Sequence, residues 1–469
     1  MLISDHFFLL YFFPIFISLY LLISRKIILG DILIIFFSLL FYASFGIVNL
    51  PILIIPLLAD YFIAILIYKT KKKNYRKLLL AFAVLLNLSL LGYYKYANFL
   101  SDNILLLFPH FQFLMSLQKN IILPVGISFI TFQRISYIID IYRREIKPQK
   151  NLLKYATYAT LFPHLISGPI VRYSQIKDQL NKRIINSNTI YMATQLFVAG
   201  LIFKILIANQ LFLLEEHLTM KLTQLDSLQS VILILYFSFR IYFDFMGYSL
   251  MALGLAKFLG FDFPVNFNSP YQSRSITEFW RRWNITLSSW LRDYLYIPLG
   301  GNRKGEYRTY INILITMLLA GLWHGAHWNF VIWGSMHGIF LIIERFFNIH
   351  NKQGFLNKVP KFLKISYCFA LVTLAWTTFK FSTPQKIFQL LGNIKSLEFH
   401  QLDFITRNLL ISTFPAFFIA VIWSFFFREQ SIPSKHFSYK VGIFIVLLFI
   451  ITLVYSLIRR SVPFIYFQF

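Results

Sequence analysis

Three histidines stand in one largely apolar stretch, TMLLAGLWHGAHWNFVIWGSMHG, which covers 316–338. They are His324, His327 and His337, at spacings of 3 and then 10. An imidazole titrates near neutral pH, and its neutral form accepts a proton. His324 follows Trp323 near the end of an apolar run, so it reads as a general base for a hydroxyl attacking a thioester. Two histidines three apart share a helix face, which would also suit zinc. The stretch holds no Cys and no carboxylate, however, and Gly325 and Gly334 loosen a helix there. No metal site is expected. His327 and His337 read as hydrogen-bonded core histidines.

Other polar groups interrupt apolar runs, where each is costly unless paired. Arg240 and Asp244 lie four apart in SFRIYFDFMGYS, so on a helix they would face one another as a structural ion pair. Lys204, in GLIFKILIAN, either pairs in the same way or snorkels to the interface. The longest polar stretch, 257–307, contains FWRRWNITLSSWLRDYLYIPLGGNRKG. The pattern predicts a helix over 276–296 with Thr277 as its N-cap. Trp280, Trp283, Trp290 and Tyr294 would then lie near the membrane interface. The chain has no G-x-S-x-G elbow and no soluble segment to house a Ser-His-Asp site.

These groups need a scaffold, and composition supplies its class. The 469 residues are 57% hydrophobic, 19% aromatic and only 14% charged, with mean hydropathy +0.63. That is an all-α polytopic membrane protein, because a helix satisfies its own backbone in lipid. Twelve spans are expected, near 7–24, 31–47, 50–68, 78–99, 121–141, 190–213, 229–250, 308–325, 328–347, 364–380, 408–427 and 440–458. Allowing for re-entrant pieces near 104–117 and 155–171, the count is 11–13.

The net charge of +26 belongs to loops facing the cytoplasm rather than to nucleic-acid binding. The runs KTKKKNYRK (Lys69–Lys77) and RREIKPQK (Arg143–Lys150) are of this kind. The pair Glu215–Glu216 then falls in an outer loop, and both chain ends lie outside. Arg459–Arg460 breaks the charge rule in that count. Phe7–Ile23 reads as a retained first span, and the single Cys368 permits no internal disulfide.

The motifs also carry a resemblance. The run from YFDFMGYSLMALGLAKFLGFDFPVNFNSPYQ through RRWNITLSSWLRDYLYIPLGGNR to LLAGLWHGAHWNFVIWGSMHG resembles the membrane-bound O-acyltransferases. Within them it is similar to the bacterial branch that acetylates polysaccharide and peptidoglycan, including alginate O-acetyltransferase membrane subunits. LGYYKYANFL, LPVGISFITFQRISYIIDIYRRE and LFPHLISGPIVRY match in the same order, so the likeness covers about residues 7–380.

The resemblance implies tilted helices around a central tunnel, in one membrane-embedded domain over 1–469 with core motifs at 121–347. It implies His324 as base and Asn284 as the partner that orients the acyl group. Many bacterial relatives have His at the position of Asn284 and Asp at that of Leu250, so acid–base work here falls on His324 alone. The tail 461–469 holds Phe464-x-Tyr466-x-x-Phe469. It resembles a motif of a teichoic-acid D-alanylation peptide whose tyrosine is proposed to carry the acyl group. Tyr466 is therefore a candidate carrier; an interfacial aromatic belt is the other reading.

Acetyl-CoA is the implied acyl donor, with no bound cofactor. Arg281, Arg282, Trp283, Trp323, Arg292, Asp293 and Tyr294 are its candidate contacts, and Arg274, Arg303 and Lys304 are further basic residues for its phosphates. The expected setting is the bacterial inner membrane, with a periplasmic SGNH/GDSL-like transferase as partner besides the bilayer. The expected product is O-acetylated peptidoglycan, acetylated on N-acetylmuramic acid. Alginate or another exopolysaccharide is the alternative. A transporter for acyl groups or lipid-linked sugars is the rival class, although no internal repeat is visible.

Overall fold

The computed structural model describes all residues except 24–25, 111–120, 348–358, 430–431, 433–437, 459–461 and 466–469. The described residues form helices and connecting turns, with no strand among them. Each expected span overlaps a helix, although the one expected over 121–141 is helical only from Ile127. Among the described residues, seven helices are long and apolar enough to cross a membrane: Ile47–Lys69, Lys73–Leu107, Ser187–Met220, Ser227–Phe258, Lys361–Lys380, Phe404–Phe426 and Tyr439–Ile458. Phe8–Ile23 and Ile27–Ala43 are apolar but shorter. Ile127–Tyr142 is also short, while Glu306–His324 and Trp328–Phe346 have 19 residues each but carry Asn, Trp, His and Gly that lower their hydropathy.

The chain divides into two compact units. The first comprises Met1–Thr194 and Met251–Pro264. Its core is a phenylalanine cluster in which Phe12, Phe16 and Phe41 each lie 5.4–6.0 Å from Phe162. Buried charges there are paired. Arg134 meets Asp60 at 3.1 Å, and Asn87 bridges the two, donating to Asp60 at 2.9 Å and accepting from Arg134 at 2.9 Å. Arg183 pairs with Asp31, and Tyr20 donates to the Leu259 carbonyl at 2.9 Å.

The second unit comprises Gln195–Leu250 and Val265–Phe469. Helices Glu306–His324 and Trp328–Phe346 form its closest helical pair. They approach backbone to backbone: a Cβ at Gly321 would strike the Phe330 carbonyl, and one at Gly334 the Met317 carbonyl. Small residues allow that approach, as helix contacts in lipid require.

Charge pairing in this unit departs from the spacing rule. Arg240 does not pair with Asp244. Arg240 meets Glu215 at 2.6 Å, Lys380 pairs with the same carboxylate, and Asp244 takes Lys204 at 2.5 Å. Glu215 is therefore buried within the span Ser187–Met220 rather than lying in an outer loop. The four-residue spacing brought Arg240 and Asp244 to one side of a helix, but partners on neighbouring helices reach each charge more directly. Removing the Glu215 carboxylate leaves two cations buried without a counter-charge, a loss of about 3–5 kcal/mol for a buried pair broken on one side. Glu215→Ala is expected to lower the melting temperature in detergent sharply, measured by fluorescence-detected size exclusion after heating.

Candidate active site

The polar stretch after Pro264 does not form one helix. Ser275, not Thr277, is the N-cap: its hydroxyl accepts the Glu278 N–H at 3.1 Å. Helix Ile276–Trp280 then ends, and a second helix, Ile285–Leu291, begins after Asn284. The break is at Asn284, which sits at φ 42° and ψ 54°. Asn is one of the few non-glycine residues that visit this left-handed region readily. The backbone around the break is held by a neighbouring extended segment. Ile285 N–H donates to the Asn266 carbonyl at 2.9 Å, and Asn268 N–H to that of Arg282 at 3.0 Å. A helical π turn, Arg292–Tyr296, follows.

Two buried carboxylates fix this segment. Glu344 accepts the N–H groups of Ile276 and Thr277 at 2.5 and 2.9 Å, and the Thr277 hydroxyl at 3.0 Å. Glu429 accepts the Ser269 N–H at 2.5 Å, the Ser269 hydroxyl at 2.8 Å and the Tyr242 hydroxyl. Sequence reasoning passed over both. The available signal was the same for each: an acidic residue at the end of an apolar span in a chain with only 19 acidic residues.

His324 ends helix Glu306–His324 and is buried. Its ring is enclosed by Trp323 at 5.0 Å, Trp333 at 4.9 Å and Phe379 at 5.2 Å. Trp333 continues to Trp376 at 5.9 Å, and Trp376 to Trp283 at 5.0 Å. Three indoles thus run from His324 to the residue beside Asn284. Asn284 is 1% exposed, and neither atom of its amide has a hydrogen-bond partner among the described residues. A buried amide left open in this way is costly, and a bound polar ligand is one means of satisfying it.

A cavity of about 510 Å³ adjoins this wall. Trp280, Arg281, Ser288, Ser289, Arg292 and Tyr296 line it, with Thr316 and Met317 from the helix that ends in His324. The size is that of a small-molecule site. Trp280 packs edge-on against Trp333 at 5.6 Å, so two indoles, Trp280 and Trp333, stand between the cavity and His324.

The other candidate residues lie as follows. Arg282 pairs with Glu278 at 2.7 Å and donates to the Asn268 carbonyl at 3.2 Å, away from the cavity lining. Asp293 pairs with Arg292 at 2.7 Å, and Tyr294 packs on Trp290 at 5.1 Å. Arg274, Arg303 and Lys304 are exposed. His337 is fully buried against Trp333, Trp280 and Phe279, with neither ring nitrogen partnered among the described residues; the hydrogen bonds expected of a core histidine are missing. His327 is exposed at the start of helix Trp328–Phe346, because the turn after Gly325 carries it out of the packed face. Tyr466 lies outside the described residues.

A family model for membrane-bound O-acyltransferases matches residues 34–357. The chain belongs to that family. It is an acyltransferase, and the aromatic wall and cavity fall mostly inside the matched region. Among curated relatives of this O-acyltransferase is a probable alginate O-acetylase AlgI of Pseudomonas putida. It is 40% identical over 384 residues, covering 81% of this chain and 77% of the relative. A peptidoglycan O-acetyltransferase of Helicobacter pylori is 36% identical over 388 residues, covering 77% and 72%. A teichoic acid D-alanyltransferase of Streptococcus thermophilus is 30% identical over 282 residues, covering 54% and 68%.

Glu429 gives this O-acyltransferase a testable pH response. Burial pushes its carboxyl up to about 7, against the Ser269 N–H, which pulls it down. The folded chain therefore holds a proton that the unfolded chain releases near pH 4.5. Stability from this group falls as pH rises from about 4.5 to about 7, then levels off. Glu429→Gln is expected to flatten that part of a melting-temperature profile. An unchanged slope would contradict the assignment.

Proposed function

We propose that this acyltransferase moves acetyl groups from cytoplasmic acetyl-CoA across a bacterial inner membrane for O-acetylation of a cell-envelope polysaccharide. The observation that carries the proposal is the position of His324. It is a buried imidazole enclosed by aromatic rings, two indoles away from a cavity with Arg281 and Arg292 on its lining. Relatives named for alginate and peptidoglycan O-acetylation support acetyl as the group moved.

In this reading the pantetheine arm enters the cavity, and Arg281 and Arg292 meet the phosphates of CoA. The imidazole of His324 takes the proton of an acceptor hydroxyl, whose oxygen attacks the thioester carbonyl. The Asn284 amide N–H donates to the developing oxyanion, and such a donor contributes most in a dry site. The carbon–sulfur bond then breaks, the thiolate leaves, and the His324 imidazolium returns the proton to it. The products are an acetyl ester and CoA. Tyr466 is the first acceptor, and a periplasmic SGNH/GDSL-like transferase carries the acetyl group onward. Peptidoglycan, on its N-acetylmuramic acid hydroxyl, is the proposed final acceptor. An alginate-like exopolysaccharide has separate support in the 40% identity to the Pseudomonas putida relative.

General-base catalysis contributes about 10²–10⁴-fold, so His324→Ala is expected to lower base-releasable acetate on the polysaccharide by at least about 100-fold. Acetate at the wild-type level would remove His324 from the mechanism. Assaying purified sacculi and secreted polymer separately distinguishes the two acceptors. Intact-mass measurement after labelled acetyl-CoA should find acetyl on the wild type and not on Tyr466→Phe. Equal labelling of both would rule out the tyrosine carrier.

A further inference from the structure

Asp244 is shared between two partners of different kinds. One carboxylate oxygen meets the Lys204 ammonium at 2.5 Å. The other accepts the backbone N–H of Ile465 at 2.7 Å. Both charged side chains are almost completely buried, at 4% and 2% exposure, so the carboxylate is a strong acceptor in a dry setting. Phe464 and Ile465 are themselves buried, although they follow the last helix. Phe464 packs on Tyr248 at 4.8 Å and on Phe245 at 6.0 Å, so the tail lies along the helix face that also carries Asp244.

Local structure is built around this pairing. Lys204 sits in a π-helical turn, Phe203–Ala208, inside the span Ser187–Met220. Such a turn adds a residue and re-aims the side chains it holds, and it is frequent at functional sites. Opposite it stands Gly247. A Cβ there would lie 2.9 Å from the Lys204 backbone nitrogen and 2.7 Å from the Gly200 carbonyl oxygen. Without a side chain at 247 the two helices come close enough for Lys204 to reach Asp244. A buried ion pair is by itself weak support for a fold. Here its carboxylate also holds the main chain one residue before Tyr466.

We propose that Lys204 and Asp244 are positioning residues that clamp the tail backbone at Ile465 and so set where the following acceptor residue is presented. Lys204 orients Asp244, Asp244 holds the Ile465 amide, and Phe464 fills the aromatic groove between Phe245 and Tyr248. The inference rests on the reading of Tyr466 as acceptor, but the clamp is measurable without it.

The test uses the full chain in lipid nanodiscs and reads two quantities. Hydrogen–deuterium exchange of the tail reports the Ile465 amide directly, and steady-state acetyl transfer from acetyl-CoA reports the function. The double variant Lys204→Met/Asp244→Leu removes both charges together and leaves no unpaired ion that would unfold the chain. A hydrogen bond to a charged group corresponds to roughly 10–100-fold in an opening equilibrium. Tail exchange in the double variant is expected to speed up by about that factor, with kcat falling at least about tenfold and the KM for acetyl-CoA unchanged. Lys204→Met/Asp244→Asn keeps an acceptor oxygen with no unpaired ion and is expected to restore much of both.

Tail exchange at the wild-type rate in the double variant would overturn the clamp. Fast exchange with unchanged kcat would overturn its positioning role. Tyr466→Phe separates the underlying reading: it should exchange like the wild type and lose transfer. If it transfers normally, the acceptor assignment fails, whereas the clamp is still decided by the double variant.

Discussion

A buried carboxylate in a dry interior has to be occupied, and much of the second unit is arranged around that requirement. Only 19 of the 469 residues are acidic. Among the described residues, five of them, Glu215, Asp226, Asp244, Glu344 and Glu429, are almost fully buried there, and each holds a structural joint. Glu215 gathers cations from two helices, and Asp244 ties a lysine to a backbone amide. Glu344 and Glu429 hold the broken segment that carries Asn284. Each would be expensive to bury alone, and the donors that offset the cost are fixed in place in return. Where pairing is so thorough, open groups stand out. Asn284 and His337 are buried with no side-chain hydrogen bond among the described residues, and both adjoin the indoles that lead to His324.

The spans were legible because length and apolarity are local properties: about 20 residues cross a bilayer wherever they occur. His324 and Asn284 were legible as motifs. Their setting was not. The break in the helix expected over 276–296 depends on Glu344, more than sixty residues away, and on backbone bonds to 266–268 that no periodicity reports. The Arg240–Asp244 expectation failed for a related reason. Spacing says which residues share a face, whereas partners are decided by what packs against that face. Lys204 and Glu215 lie 40 and 25 residues from Asp244 and Arg240, and nothing local connects them.

The aromatic wall has a physical rationale for acyl transfer. Trp283, Trp376 and Trp333 join the region of Asn284 to His324 through ring contacts of 4.9–5.9 Å, leaving little room for water between them. Water in that space would compete with a hydroxyl acceptor for the thioester and weaken any hydrogen bond to its carbonyl. Such a wall also tolerates an imidazole whose charge changes only transiently, because the faces of tryptophan rings attract cations.

A dry enclosure creates a difficulty of its own, since the acceptor must enter it without bringing solvent. A tail of the same chain meets that demand well. Its backbone N–H groups need partners in lipid as any others do, and Asp244 supplies one at Ile465 while Phe464 covers apolar surface beside it. An acceptor tethered to a docked segment already has most of its translational freedom removed, so binding energy spent at Phe464 and Ile465 lowers the entropic barrier for the residue that follows. In the proposed mechanism, the buried pair that looks purely structural from its charges thus acts on the segment that leads to the candidate hydroxyl.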